Sequence, residues 1–401
     1  MQIRRALGVA FVLLVAATPT FGQRNNNDNN QRPQQAQRPV QEQQDIDVLV
    51  TAVDTALMTD PLAAGAAAPG VTPAAAPATP AAPAADQSVG DIGVKWESNH
   101  FVKGQTDTTY VPYTLAIDRA NLPASGVALY VRVVDQQQVG SFVQTMASLK
   151  TATEKELASF KRPTFAWDNI HFLDIPQDGK LSRAIQLKPG RYVAFIAIKE
   201  KSPAPPAANQ RNQRNQNQAN TPAAAAAPAP KVVLLRHELI VPDFAVPDLT
   251  TSSIILASTV EPVASQLSPA EQEANPYVFG PMRIVPAREG RFSKQQELQV
   301  IFWIYGAAEA AGGKPSVVAE YNFHQRLAEG EKYFNKTQPQ ELNAQTLPPE
   351  FSVAAGHQLP GSLVVPLASF PAGDYRLEIK ITDKPTGKVV TQNVNFTVVP
   401  V

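Results

Sequence analysis

The sequence predicts an all-β fold: two tandem β-sandwich domains over residues 89–247 and 248–401, a short helical insert, and a disordered N-terminal tail and linkers. First, short apolar or alternating runs follow one another from residue 94 onward and are bounded by Gly, Pro, Asp and Asn, as in sandwiches. Second, a pattern of glycine, tyrosine and an apolar strand occurs near the end of each half. Third, Pro, Ala, Asn and Gln blocks form three segments without hydrophobic periodicity, which indicates disorder there.

The N-terminus has the features of a secretory signal peptide over residues 1–22. Arg4 and Arg5 precede an apolar run over residues 6–17, and small residues occur before a cleavage site at Gln23. The apolar run is shorter than the roughly 20 residues that span a bilayer, so no transmembrane span is expected after cleavage. We therefore expect an exported protein, periplasmic or extracellular.

Residues 23–88 are expected to form a disordered tail. The segment up to Gln44 is almost entirely Asn, Gln, Arg and Pro, and residues 61–85 are an Ala/Pro tether. Between them lies an apolar island over residues 45–59, in which four apolar residues recur at helical spacing. These are Ile46, Leu49, Val53 and Leu57. The island predicts a short helix that docks on another part of the protein.

The strands of the body are predicted from apolar and alternating runs. The clearest are residues 110–117, 127–134, 298–305 and 363–367. Residues 141–160 have an amphipathic, helix-like pattern that interrupts the strands of the first domain.

A repeat near the end of each half indicates that the two domains share one architecture. Residues 187–199 parallel residues 370–382, which lie 183 positions further along the chain. The shared form, with Gly190 and Tyr192 in the first copy and Gly373 and Tyr375 in the second, resembles the tyrosine corner of immunoglobulin-like sandwiches. We expect each glycine to permit a tight turn and each tyrosine hydroxyl to bond to the preceding backbone.

A closing strand is predicted after each repeat, over Val233 to Val241 and over Val390 to Val398. The connection before it is a tight turn over residues 383–387 in the second domain but an Asn-, Gln-, Ala- and Pro-rich insertion over residues 202–230 in the first. The composition favours a solvated spacer, and a binding arm is the alternative.

The two copies differ on the face opposite the core. In the second domain that face carries the charged residues Arg376, Glu378 and Lys380, whereas in the first Val193, Phe195 and Ala197 make it apolar. We expect the other domain or the helical insert to cover this apolar face, and the domains not to swing freely.

Composition argues against several classes of function. Lys+Arg and Asp+Glu both total 35, so no net field attracts nucleic acid, and the absence of cysteine excludes disulfides and thiol chemistry. Five histidines lie on separate segments without metal-type spacing. They are His100, His171, His237, His324 and His357. We therefore predict no catalytic, cofactor-binding or metal-binding residues, and a protein that is not an enzyme.

Two weaker patterns involve acidic residues. Asp248 and Ser252 have the Asp-x-Thr-x-Ser spacing of a metal-dependent adhesion site, but a turn joining the domains is favoured. Asp174, Asp178 and Glu320 are candidate hydrolase carboxylates by residue type alone.

The tryptophans Trp96, Trp167 and Trp303 lie in apolar or alternating runs, which favours a core role over sugar stacking. Trp167 is the best candidate for an exposed binding surface.

The junction over residues 241–249, followed by residues 252–257, resembles the segment that leads into the C-terminal β region of large exported proteins from acidobacteria-like bacteria. In those proteins it commonly follows a von Willebrand A-related domain or a similar module. Here the preceding region predicts another β-sandwich instead. We expect a non-catalytic interaction or structural module of the bacterial envelope, with a protein or envelope partner. The alternatives are a carbohydrate-binding module or a hydrolase whose site forms only in three dimensions.

Overall fold

A computed structural model of the chain describes residues 39–60, 62, 87–89, 93–119, 126–149, 153, 163–202, 231–265, 267–310 and 313–400. The expected signal peptide lies outside these residues, as do nearly all of the Ala/Pro tether and of the insertion over residues 202–230. The described part is mostly strand, and the predicted all-β, sandwich-like fold is confirmed.

Domain 1 consists of two sheets that face each other. Sheet A has the strand order β1-β9-β8-β5-β6, and in sheet B β4 pairs with β2, β3 and β7. The strands are β1 (Gln87–Val89), β2 (Val94–Asn99), β3 (Val102–Lys103), β4 (Thr109–Ile117), β5 (Val127–Asp135), β6 (Trp167–Leu173), β7 (Lys180–Leu187), β8 (Gly190–Glu200) and β9 (Val232–Val241).

Domain 2 repeats this plan. Sheet C has the order β10-β15-β11-β13-β12 with β19 also paired to β15, and sheet D has the order β14-β21-β20-β16-β17 with β18 also paired to β16. The strands are β10 (Thr250–Thr251), β11 (Ile255–Pro262), β12 (Val278–Phe279), β13 (Met282–Pro286), β14 (Arg291–Ser293), β15 (Glu297–Tyr305), β16 (Val317–Leu327), β17 (Gly330–Lys336), β18 (Gln340–Leu342), β19 (Leu359–Pro366), β20 (Gly373–Asp383) and β21 (Val389–Val399).

Three α-helices are described: α1 (Val40–Met58), α2 (Val139–Leu149) and α3 (Pro269–Ala274). Short 3₁₀ turns occur at Gln136–Gln138, Arg288–Gly290 and Leu367–Ser369. α2 is the first part of the predicted insert over residues 141–160, of which residues 150–152 and 154–160 lie outside the described part. No helix in the described ranges is long and apolar enough to cross a bilayer.

The helix α1 differs in two ways from the prediction that residues 23–88 form a disordered tail. It begins at Val40, five residues before the predicted island and inside the segment expected to be disordered. It also packs on domain 1, because Leu49, Val53 and Leu57 recur every four residues and therefore form one buried stripe. Residues 40–58 are thus part of the folded body.

Each domain buries its own core between its two sheets. In domain 1 the indole of Trp96 stacks between Tyr113 and His237, with ring centroids 4.5 and 4.3 Å apart. In domain 2 several aromatic side chains fill the core between sheets C and D, and the Tyr375 ring stacks on the Phe396 ring with centroids 5.2 Å apart. Aromatic pairs of this kind add about 0.5–1.5 kcal/mol to the free energy of unfolding beyond the area they bury.

The repeated corner is built alike in both domains. The Tyr192 hydroxyl donates to the Lys188 carbonyl at 2.9 Å, and the Tyr375 hydroxyl donates to the Pro371 carbonyl at 2.8 Å. Gly190 leaves room for the Tyr192 ring, because a Cβ there would lie 3.2 Å from the ring, which would have to shift by a few tenths of an ångström. Gly373 has φ +148°, a conformation that L side chains rarely adopt. The corner therefore positions β8 and β20 equivalently.

Candidate functional site

An aromatic cluster joins the two domains, and we call it the joint. The outer face of sheet C contributes Phe279, Trp303 and Tyr305, which pack against Tyr110 on β4 and Phe244 of the interdomain segment. Ring centroids are 4.9 Å apart for Phe279 and Trp303 and 5.0 Å apart for Phe244 and Tyr305. Because these rings are buried against each other, separating the domains would expose a large apolar area to water.

Polar contacts fix the orientation of the domains at the joint. The backbone N–H of Phe101 donates to the Ser253 hydroxyl at 2.8 Å, and the Ser253 N–H donates to the Phe101 carbonyl at 2.9 Å. The Tyr110 hydroxyl donates to the Pro276 carbonyl at 2.9 Å, and the Lys103 N–H donates to the Tyr305 hydroxyl at 3.0 Å. Directional hydrogen bonds on an apolar interface define one relative position, so the domains pack as one unit.

The apolar outer face of sheet A is covered by helices, and we call it the helix-covered face. Val193, Phe195 and Ala197 of β8 are buried against the stripe of α1, and Phe142 of α2 contributes to the same cluster. The sequence predicted that this face is covered and named the helical insert as one source, but it did not assign α1 to it. The other expected source, domain 2, contacts β3 and β4 instead.

Buried ion pairs connect α1 to the helix-covered face. Asp45 pairs with Lys199 of β8, and their side chains are 2% and 4% exposed. Ser202 donates to the same carboxylate from its backbone N–H at 2.9 Å and from its hydroxyl at 2.6 Å. Burial alone would raise the pKa of Asp45, but the hydrogen bonds from Lys199 and Ser202 outweigh it and lower the pKa. Asp45 is therefore held as a carboxylate.

Two further acidic residues of this segment meet arginines on neighbouring strands. Asp54 pairs with Arg132 of β5, whose guanidinium lies 3.9 Å from the centroid of the Phe165 ring. Asp60, just after α1, pairs with Arg236 of β9 at 2.5 Å. Two acidic side chains on α1 and one just after it thus meet basic side chains on three strands, which fixes the register of the helix on the sheet.

A polar recess of about 460 Å³ lies beside β17 in domain 2. Its lining includes Glu320 and Asn322 of β16, together with Tyr333, Asn335 and Lys336 of β17. Tyr333 is 53% exposed, and Tyr is a side chain on which a sugar ring can stack. The recess therefore offers polar groups and one exposed ring to a small polar ligand.

Trp167, predicted as the best candidate for an exposed binding surface, is partly buried and packs against the core of domain 1. It lies opposite Val133 at the start of β6, which places it at the edge of sheet A. Trp96 is in the domain 1 core and Trp303 is in the joint. Trp167 as a binding surface therefore stays a prediction.

The residues of the adhesion-site pattern do not converge. Asp248 is exposed and pairs with Lys388 at 2.7 Å, while the Ser252 hydroxyl accepts from the Trp303 N–H at 2.9 Å. Between them Thr250 and Thr251 form β10. No group of three or more His, Asp or Glu side chains suited to a metal occurs within the part of the chain that the structure describes.

The candidate carboxylates and the histidines are also dispersed. Asp174 and Asp178 lie between β6 and β7 of domain 1, whereas Glu320 is in domain 2 and pairs with Lys380 at 3.3 Å. His100 and His171 lie near the joint, each with a contact to domain 2. Glu320 therefore lies in a different domain from Asp174 and Asp178.

Comparison with known proteins leaves the family open. No protein-family model matches the sequence, and no curated protein matches it. The resemblance noted for residues 241–257 therefore stays a prediction.

Proposed function

We propose that this chain is an exported, non-catalytic interaction or structural module of the bacterial envelope. The observation that carries the proposal is the joint: one face of each domain is used to hold the two sandwiches together. A two-domain unit with fixed geometry can present surfaces at a defined separation, which is what a scaffold requires. Export is supported by Arg4 and Arg5 and the apolar run that follows them.

The docking of α1 adds to this proposal. Because α1 is attached to sheet A by Asp45, Asp54 and Asp60, its first residue, Val40, has a fixed position on the body. A polar segment that leaves from a fixed point can act as a spacer between the body and a neighbouring structure.

Capture from envelope extract tests the proposal. The bait is the mature chain from Gln23 with a C-terminal tag, since α1 belongs to the fold and must be kept. We expect saturable capture of a defined protein that excess untagged chain displaces. Phe279→Ala, which weakens the joint, should reduce capture, whereas Val364→Ala on the exposed surface should not. Circular dichroism checks that both variants fold. Retention on a glycan array without a captured protein would contradict the proposal.

A carbohydrate-binding module is the second candidate, and the recess beside β17 favours it. Tyr333 offers an exposed ring, and the side chains of Glu320, Asn322 and Asn335 offer hydrogen-bonding groups for sugar hydroxyls. Affinity electrophoresis in polysaccharide gels tests it. Retardation that Tyr333→Ala abolishes and Val364→Ala leaves unchanged would support this candidate. Equal migration of all three chains at every polysaccharide concentration would eliminate it.

A further inference from the structure

The strand β21 forms one edge of sheet D and is only partly covered. On one side it pairs with β20 from Val389 to Val398. On the other side, within the described ranges, it pairs with β14 at residues 397–399 alone. Gly290 approaches the same side, since a Cβ added to it would lie 3.1 Å from the Asn395 carbonyl oxygen. Residues 389–394 are therefore a strand edge without a described partner, and we call them the free edge.

The free edge lacks the features that usually keep strand edges from pairing. Its strand reads VVTQNVNFTVV, without a charged residue, proline or glycine. Exposed edges in soluble proteins are normally blunted by charges, prolines or bulges, because unpaired N–H and C=O groups bind other strands. Both Val and Thr also favour the extended conformation. The free edge is consequently suited to accept a strand.

Two other edge strands of domain 2, β17 and β19, show the usual protection. At the opposite edge of sheet D, β17 carries Glu331, Lys332 and Lys336, and the pairing of β16 with β17 is interrupted by a register shift. In sheet C, the edge strand β19 has Pro360 near one end and Pro366 at the other. The contrast within one domain indicates that the free edge is left open for pairing.

The duplicated strand of domain 1 is protected as well. β9 is covered by β1 at residues 234–236, and it carries Arg236 and Glu238 along its length. β9 and β21 occupy equivalent positions in their domains, yet only β21 has an unprotected edge, so the position alone does not require one.

Side-chain alternation limits how two copies of the free edge could pair. Thr391 and Asn393 are exposed, whereas Val390 and Val394 are partly buried against the domain 2 core. In an antiparallel pair, residues directly opposite each other point to the same face. A register centred on Gln392 places Val390 of one copy opposite Val394 of the other, Thr391 opposite Asn393, and Gln392 opposite itself. This register pairs valine with valine and brings no like charges together.

We propose that two copies of this chain associate through antiparallel pairing of their free edges, with the two-fold axis at Gln392. The contact is isologous, so it closes at a dimer and does not propagate. Five paired residues from each copy form an interface below the roughly 1,200 Å² of standard complexes, so the dimer is reversible. Because the strands are uncharged, added salt leaves the association constant nearly unchanged.

Site-directed disulfide formation tests the register in the mature full-length chain. The protein has no cysteine, so a single introduced thiol is unique. Oxidised Gln392→Cys should give a covalent dimer on non-reducing gels at about ten times the yield of Thr391→Cys or of Asn335→Cys on the protected edge β17, because only Gln392 meets its own copy. Equal yields in all three would overturn the dimer, and a higher yield for Thr391→Cys would overturn the register.

Sedimentation equilibrium of the unmodified chain is the second test. We expect a concentration-dependent dimer that is insensitive to 1 M NaCl. Gln392→Lys, which places two positive charges at the axis, should weaken association at least tenfold, while Asn335→Lys should leave it unchanged. Circular dichroism confirms that the edge variants fold. A wild-type monomer at all concentrations, or oligomers that grow beyond a dimer, would contradict the proposal.

Discussion

The strands β8 and β20 have the same length, the same corner and equivalent positions in their sheets, yet their outer faces differ. Val193, Phe195 and Ala197 of β8 are completely or almost completely buried beneath α1, whereas the corresponding residues of β20 are Arg376, Glu378 and Lys380. The charged residues of β20 are partly exposed and pair with neighbours, as in the 2.9 Å contact between Arg376 and Glu331. Two strands with the same corner and equivalent positions can therefore have an outer face that is buried under a helix or one that faces solvent.

The difference shows where the stability of each domain arises. A sandwich with one solvated sheet depends on the core between its sheets, as domain 2 does in sheet D. Domain 1 has a second apolar layer between sheet A and the helices, so sheet A is buried on both sides. Residues on its outer face should therefore be as sensitive to substitution as core residues, while their counterparts in domain 2 should not.

Exchanging Phe195 of β8 and Glu378 of β20, the middle residues of the two outer faces, should change the free energy of unfolding most. Phe195→Glu places an unpaired carboxylate under α1 and removes a buried ring, and we expect it to lower the free energy of unfolding by about 5 kcal/mol. Glu378→Phe, the reciprocal change on a solvated face, should cost less than about 1 kcal/mol. Urea unfolding followed by tryptophan fluorescence measures both. Similar losses for the two variants would show that α1 does not protect the β8 face.

Removing one member of a buried ion pair should give the next largest effect. Lys199→Ala leaves Asp45 buried without its partner, and we expect a loss of about 3 kcal/mol. Lys380→Ala breaks the exposed pair with Glu320 and should cost about 0–1 kcal/mol.

The double variant Asp45→Leu/Lys199→Met is the control for the buried pair, because it removes both charges together. It should recover most of the stability lost in Lys199→Ala. If the double variant is as unstable as the single one, the loss comes from packing and not from the stranded charge.

The strands could be predicted from the sequence, but the helix that covers the outer face of sheet A could be predicted only in part. The predicted strand over residues 110–117 matches Thr109–Ile117, and that over residues 298–305 matches Glu297–Tyr305, because both are apolar runs that are buried along nearly their whole length. The helical spacing of Leu49, Val53 and Leu57 also indicated α1. Its first turn could not be placed, since residues 40–44 are mostly polar and carry no period.

Two further features could not be predicted because they depend on strand pairing. The ion pairs of Asp45, Asp54 and Asp60 could not be predicted, because their basic partners lie on three strands that are distant in sequence. Trp167 and Trp303 both lie in apolar or alternating runs, yet one is at a sheet edge and the other is in the joint. Distinguishing them requires the three-dimensional order of the strands.

The corner tyrosines should give a smaller and equal effect in the two domains. Tyr192→Phe and Tyr375→Phe each remove one hydrogen bond to a backbone carbonyl, and we expect each to lower the free energy of unfolding by about 1 kcal/mol. Thermal unfolding measured by calorimetry resolves changes of this size. A large loss in one domain only would mean that the shared corner has different structural roles in the two copies.

Lowering the pH should weaken the joint and the helix-covered face of domain 1 in different pH ranges, both below neutral pH. At the joint, His100 Nδ1 is hydrogen-bonded to the Tyr277 hydroxyl at 3.0 Å, and burial lowers the pKa of His100 to about 4. Burial also lowers the pKa of His171 at the edge of the joint, against the opposing effect of Glu273. A histidine whose pKa is depressed in the folded state contributes stability above its ordinary pKa of about 6.5, and that stability is lost as the pH falls toward 4.

The helix-covered face should respond in a lower pH range. The pKa of Asp45 lies below its ordinary value of 3.8, so its contribution is lost only as the pH falls below that value. Fluorescence energy transfer between dyes on the two domains should therefore report loosening of the joint between pH 6.5 and 4, while a dye on α1 reports docking until lower pH. His100→Gln should reduce the response of the joint without changing that of α1. If α1 is released at a higher pH than the one at which the joint loosens, the histidines of the joint do not titrate before Asp45, and the prediction is wrong.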